Sequence, residues 1–114
     1  YVFVSGVGYQ IDVRYSGTTF QAGVIDSKLS SWCLFTCTIS SQTLRQVYLN
    51  GAIIGTNTAS LTFPTTITNL RLGGGDTGSR KLRGLLDDVR IYNKALTAQE
   101  ILQNYNATRG RFGV

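Results

Sequence analysis

The sequence predicts an all-β fold on three observations: a turn-rich composition, alternation of apolar and polar residues through the first half, and an Asn-Gly pair between two β-rich runs. Thirteen glycines, one proline and 15% charged residues in 114 describe strands joined by turns rather than a helical bundle or a disordered chain. A chain of this length forms a single domain, 1–114, and buries roughly two thirds of the surface that its unfolded state exposes.

Taken in order, Tyr1 to Ser5, Tyr9 to Ser16 and Thr19 to Ile25 read as short antiparallel strands separated by Gly6, Gly8 and the Ser16-Gly17 pair. From Trp32 to Ile39 the pleat puts Cys33, Phe35, Cys37 and Ile39 on one face and Trp32, Leu34, Thr36 and Thr38 on the other, as in a central strand crossing the core. Gln46 to Leu49 and Ala52 to Gly55 flank Asn50 and Gly51, whose tolerance of positive φ predicts a tight hairpin. Ser60 to Phe63 and Ile67 to Leu72 continue the strand pattern, and the glycine-rich run Gly73 to Ser79 is a loop. Leu82 to Tyr92 is a last long strand containing Gly84.

After that strand the pattern changes to helical. Thr97 is placed to cap a short helix, and Glu100 three residues on can reach back to the cap, while Leu96 and Ile101 have the spacing of a hydrophobic staple. Ile101, Leu102 and Tyr105 then supply the face that docks on the strands.

Eleven Lys and Arg against six Asp and Glu give a net charge of +5, concentrated in the second half. Such a surface favours anionic partners, but no nucleic-acid motif accompanies it and none is expected as a ligand. No apolar run approaches the ~18 residues that span a bilayer, so no membrane partner is expected. The chain has no methionine, and Tyr1 is expected to begin a processed product or a piece of something longer. Cys33 and Cys37, four apart on an extended strand, are separated by about 13 Å and cannot pair with each other; both are read as small apolar residues facing the core.

The order of these features resembles that of the laminin-G-like, concanavalin A-like lectin family. It comprises Trp32 opening a strand, the VYLNG hairpin with Asn50 and Gly51, the LGGG loop, and GLLDDVRIYNKALTAQEILQNY from Gly84 to Tyr105. Within that last segment Gly84, Leu86, Asp87, Asp88, Val89, Arg90, Ile91, Tyr92, Leu96, Thr97, Glu100 and Ile101 stand in the family's register. The resemblance covers Trp32 to Tyr105 closely and Tyr1 to Ile25 as a strand pattern. It implies a two-sheet antiparallel jelly-roll sandwich with one short C-terminal helix, lacking the N-terminal strands that family members carry, which another part of the polypeptide or a neighbouring chain would supply to close the sheet edges. The ending from Asn104 onward resembles such domains in bacteriophage structural proteins.

Some relatives hydrolyse glycans, which takes two carboxylates about 5 to 9 Å apart. Here Asp87 and Asp88 are adjacent on a predicted strand and point to opposite faces, Glu100 belongs to the cap, and the Glu-x-Asp-x-x-Glu pattern of hydrolase relatives is absent. There is no histidine to serve as a base, and no enzyme activity is expected. Asp87, sharing a face with Leu85, Val89 and Ile91, is read as a partly buried carboxylate held by backbone N–H groups or by Arg83 or Arg90. Trp32, Asn50, Gly51, Gly84, Asp87, Asp88, Tyr92, Thr97 and Glu100 are therefore structural.

For glycan stacking the candidates are Tyr9, Tyr15 and Tyr48, with Trp32 favouring the core. The resemblance also implies calcium as an optional ligand, with Asp76 its site if Asp12 or Asp26 is near; no other cofactor is expected. The expectation is a non-catalytic binding and assembly module of a virion surface structure, a capsid decoration or fibre, whose partners are other structural subunits or the rest of its own polypeptide. The alternative is a lectin-like domain on an extracellular or cell surface that binds glycans, with or without calcium.

Overall fold

The computed structural model describes the backbone of residues 2–4, 9–15 and 18–25, and the backbone and side chains of 31–63, 65–66, 71–73 and 84–114. Among the described residues, eight strands precede one α-helix: β1 (Val2–Val4), β2 (Tyr9–Tyr15), β3 (Thr18–Ile25), β4 (Trp32–Cys33), β5 (Phe35–Ser41), β6 (Leu44–Leu49), β7 (Ala52–Asn57), β8 (Gly84–Leu86) and α1 (Ala98–Thr108), followed by a 3-10 turn, Arg109–Phe112. The strand-rich class is as the composition predicts, and the one short terminal helix is as the Thr97 and Glu100 pattern predicts.

All described strand pairs are antiparallel. β4 and β8 flank β1, with Val2 opposite both Cys33 and Leu86 and Phe3 opposite both Trp32 and Leu85. β2 pairs with β3 from Tyr9 opposite Ile25 to Tyr15 opposite Thr18, with a register shift at Ile11/Asp12. β6 lies between β5 and β7, and β3 runs beside β7.

The Asn-Gly hairpin forms as expected, with φ of 52° at Asn50 and 83° at Gly51. Two consecutive left-handed residues give the primed turn whose twist matches that of its strands. The turn is also tied to a distant segment. Leu34 N–H donates to Asn50 Oδ1 at 2.9 Å, and Asn50 N–H donates to Leu34 O at 2.9 Å.

That pair of bonds corrects the single strand expected from Trp32 to Ile39. Leu34 gives both backbone groups to Asn50, so the strand is interrupted there and divides into β4 and β5, which belong to different sheets. β5 is an edge strand among the described residues rather than a central one. Cys33 is 1% exposed, as a core residue should be, but Cys37 is exposed; both thiols are free.

Ser60 to Phe63 is not a strand. Its approach is captured by Arg45, a fully buried side chain whose guanidinium donates to Gln42 O at 2.7 Å, to Asn57 Oδ1 at 2.9 Å and to Ala59 O. Ala59 N–H bonds Asn57 Oδ1 and Leu61 N–H bonds Gln42 O, each at 2.9 Å. Backbone groups satisfied this way are not open to a strand ladder. Of the strand expected at Ile67 to Leu72, Arg71 and Leu72 are irregular and the rest lies outside the described residues. Gly73 has φ of 72°, consistent with the start of the expected loop, whose remaining residues also lie outside them.

The long strand expected from Leu82 to Tyr92 is described only as Gly84–Leu86. Asp87 Oδ1 accepts a 2.6 Å bond from Asp88 N–H, and Asp88 has φ of 52°. An aspartate that bonds its neighbour's backbone and a following residue in the left-handed region end the pleat. The opposite-face geometry argued for the two aspartates is thus replaced by a turn.

Helix α1 begins as predicted. Glu100 N–H donates to Thr97 Oγ1 at 3.2 Å and Thr97 N–H donates to Glu100 Oε2 at 2.8 Å, completing the capping box. Lys94 Nζ adds a 2.6 Å ion pair to the other Glu100 oxygen. On the docking face Ile101 is fully buried, and Leu102 and Tyr105 meet the hairpin turn. A Cβ placed on Gly51 would lie 2.9 Å from Leu102 Cδ1, 3.3 Å from Leu102 Cα and 3.5 Å from Tyr105 Cβ. Gly51 therefore serves both the turn conformation and the seat of the helix. The described core is Cys33, Val47, Tyr48 and Ile101 around this junction.

Candidate assembly surface

Register places Phe35, Cys37 and Ile39 of β5 opposite Leu49, Val47 and Arg45 of β6, so these six share a face. Over β6 that face is closed, with Val47 and Arg45 at 0% exposure; over β5 it is open, with Ile39 at 49%. A groove of about 830 Å³ runs along β5 and is bounded on its far side by the chain from Leu86 to Leu96, with Leu72 beside it. Ile91, at 72%, is the most exposed of its large apolar residues, and Leu72, Leu86, Val89 and Tyr92 are exposed as well. The hydroxyl of Thr38, which also borders the groove, is buried without a hydrogen-bond partner among the described residues.

Charge sits at the rim. Arg90 makes a bidentate pair with Asp88, both bonds 2.8 Å, and its guanidinium holds the Asp88 carboxyl below the usual carboxylate range. The same contact, with a hydrogen bond to Tyr92, raises Arg90. Lys94 and the backbone of Thr97 likewise lower Glu100. Desolvation raises the Cys33 thiol, opposed by its bond to Ser31 O. Both carboxylates are engaged in holding chain geometry, Asp88 through Arg90 and Glu100 through Lys94 and the helix cap.

A second recess of about 380 Å³ lies where the other face of β6 meets the chain before α1. It is lined by Ser40, Gln46, Tyr48, Ile53, Leu96 and Thr97, among others, and the Tyr48 hydroxyl donates to Gln46 Oε1 at 3.1 Å.

The residues singled out in the sequence fall in different places. Tyr48 is 3% exposed, so its ring presents no open face for a sugar to stack on. Tyr9 and Tyr15 are the two end residues of β2, and their side chains lie outside the described residues, as do Asp76 and Asp26. Asp12 is in β2 opposite Gln21. Among the described residues no three His, Cys, Asp or Glu side chains cluster closely enough to hold a metal ion. Gly84 opens β8 opposite Val4. Tyr92 accepts a long 3.5 Å contact from Asn104.

Asp87 is held by a backbone N–H, as expected; Arg111 lies 3.2 Å from its carboxylate, Arg90 bonds Asp88 instead, and Arg83 lies outside the described residues. Trp32 is half-buried and its ring lies 5.2 Å from that of Phe112, tilted by 49°. Three contributors were not singled out by sequence reasoning. Arg45 had a signal, since it shares strand parity with Val47 and Leu49 and so points inward. Arg111 and Phe112 had none, because their partners are 24 and 80 residues away in the chain.

A strand-dominated domain closed by one capped helix belongs to a class whose recognition surfaces lie on strand faces, edges and loops. Residues 1–102 match the laminin-G-type model of the concanavalin A-like lectin/glucanases superfamily, and the chain belongs to that superfamily. No curated protein and no solved structure matches the chain.

Proposed function

We propose that this chain is a non-catalytic binding and assembly module, and that its strands belong to a two-sheet jelly-roll sandwich completed by strands from neighbouring structural subunits or from the rest of its own polypeptide. The observation that carries the reading is the apolar groove beside edge strand β5. Exposed apolar groups in contiguous array are the mark of a surface covered in the working assembly, and an edge strand next to them offers backbone groups for strand addition. The buried hydroxyl of Thr38 is a further group that an added segment would satisfy. The engagement of Asp87 with Arg111, Asp88 with Arg90 and Glu100 with its cap supports a role without catalysis and without a required cofactor. The setting in this proposal is a virion surface, as a capsid decoration or fibre component, a placement supported by the bacteriophage-like ending from Asn104 onward.

Light scattering on the isolated chain tests it: self-association or incomplete tertiary order is expected, relieved when the completing strands are present. A rigid, fully folded monomer at high concentration would overturn it.

A second reading is a lectin-like domain at an extracellular or cell surface. It is supported by the superfamily and by the recess where Ser40, Gln46 and Thr97 offer hydroxyl and amide groups of the kind that hold sugar hydroxyls. Calcium at Asp76 belongs to this reading. A glycan array blank both with and without calcium would remove it.

A further inference from the structure

We propose that the 3-10 turn Arg109–Phe112 is a releasable latch that covers Trp32 and ties the end of α1 to both outer strands of the β4-β1-β8 sheet. The turn lies beyond the part of the chain that matches the superfamily, residues 1–102. It reaches the sheet at two points on opposite sides of β1. Phe112 packs on Trp32 of β4, ring centroids 5.2 Å apart. Arg111 Nη2 approaches Asp87, the residue that follows β8, at 3.2 and 3.5 Å from its two carboxylate oxygens. Because Trp32 and Leu85 are both opposite Phe3 of β1, the turn bridges the full width of this sheet.

The two attachments act together through Arg111, whose guanidinium also lies 5.2 Å from the centroid of the Phe112 ring. One cation thus orients the aromatic ring and pairs with the carboxylate. These contacts are of a kind that can let go. The side chains of Arg111 and Asp87 are 64% and 44% exposed, so water and salt compete for both. Glycines lie on both sides of the attachment: a Cβ on Gly110 would meet nothing within 4 Å, and Gly113 has φ of 69°. Release of the turn would uncover an aromatic face beside the Asp87 carboxylate, a surface absent while the latch is closed.

Trp32 is the only tryptophan in the chain, so its emission reports the latch directly. The experiment measures its emission maximum and its quenching by acrylamide in the unaltered chain, Phe112→Ala, Arg111→Glu and Arg111→Lys, with far-ultraviolet circular dichroism recorded for each. Phe112→Ala and Arg111→Glu are expected to red-shift the emission and to lose protection from quenching while the β signal is kept, and Arg111→Lys to keep protection. In the unaltered chain, ~1 M salt is expected to weaken protection, because it shortens the screening length to about 3 Å. The latch is overturned if Phe112→Ala and Arg111→Glu leave quenching unchanged, if protection is lost only together with the β signal, or if Arg111→Lys loses as much protection as Arg111→Glu.

Discussion

The junction of the β6–β7 hairpin with α1 and the stretch from Leu86 to Tyr92 differ in how their apolar residues are used. At the hairpin a short-range motif and a long-range contact agree. Asn50 and Gly51 adopt the left-handed conformations of the turn, Asn50 also bonds Leu34, and Gly51 leaves room for Leu102 and Tyr105. From Leu86 to Tyr92 the apolar residues Leu86, Val89, Ile91 and Tyr92 lie open on the groove, while Asp88 between them is tied to Arg90. One region is closed by its own chain. The other lies open among the described residues, which is why the assembly proposal rests there.

Substitutions sharpen that contrast. Arg45→Ala is expected to have the largest effect, on the order of 3 kcal/mol lost in chemical denaturation, because it empties a fully buried site and removes the guanidinium bonds to Gln42 O, Asn57 Oδ1 and Ala59 O. Gly51→Ala follows at about 2–3 kcal/mol, combining a strained positive φ with a contact of 2.9 Å on Leu102; a melting temperature no lower than that of the unaltered chain would refute the double role of this glycine. Thr97→Ala removes half of the capping box and should cost about 1 kcal/mol, read as earlier loss of helical signal.

In the open region the expected pattern is reversed. Ile91→Ser should change stability by less than about 0.5 kcal/mol while reducing self-association by scattering, and a large loss of stability there would mean that the residue is already part of a closed core. Acid should act on the rim. Asp88 is held below its ordinary pKa of 3.8 by Arg90, so its contribution is fully present above that value and is lost as pH falls through the lower folded-state value. Titration followed by nuclear magnetic resonance should place its midpoint below 3.8, and Arg90→Gln should return it towards that value.

The parts of the fold that were legible in the sequence depend on partners a few residues apart. The Asn50-Gly51 turn follows from tolerance of positive φ, and the Thr97-Glu100 box from two reciprocal bonds within one helical turn. The first strands were legible from alternation, and β1, β2 and β3 begin and end within a residue or so of the expected positions. The break at Leu34 was not, because nothing near Leu34 signals it; the cause is Asn50, 16 positions away. The candidate surface was legible only as an expectation of missing strands. Which residues line it depended on the turn at Asp87 and Asp88, where a local side-chain bond overrode a strand-like apolar pattern.

By itself the sequence determined the all-β class, the hairpin, the capped helix and the superfamily register from Gly84 onward. These are set by backbone preferences and short-range hydrogen bonds that any tertiary context must accommodate. Only the tertiary structure decided that Arg45 would be buried, that Tyr48 would lose its open face, that Asp87 would meet Arg111, and that Phe112 would cover Trp32. Those pairings join residues far apart in the chain, and their free energy arises only once the intervening strands bring them within a few ångströms.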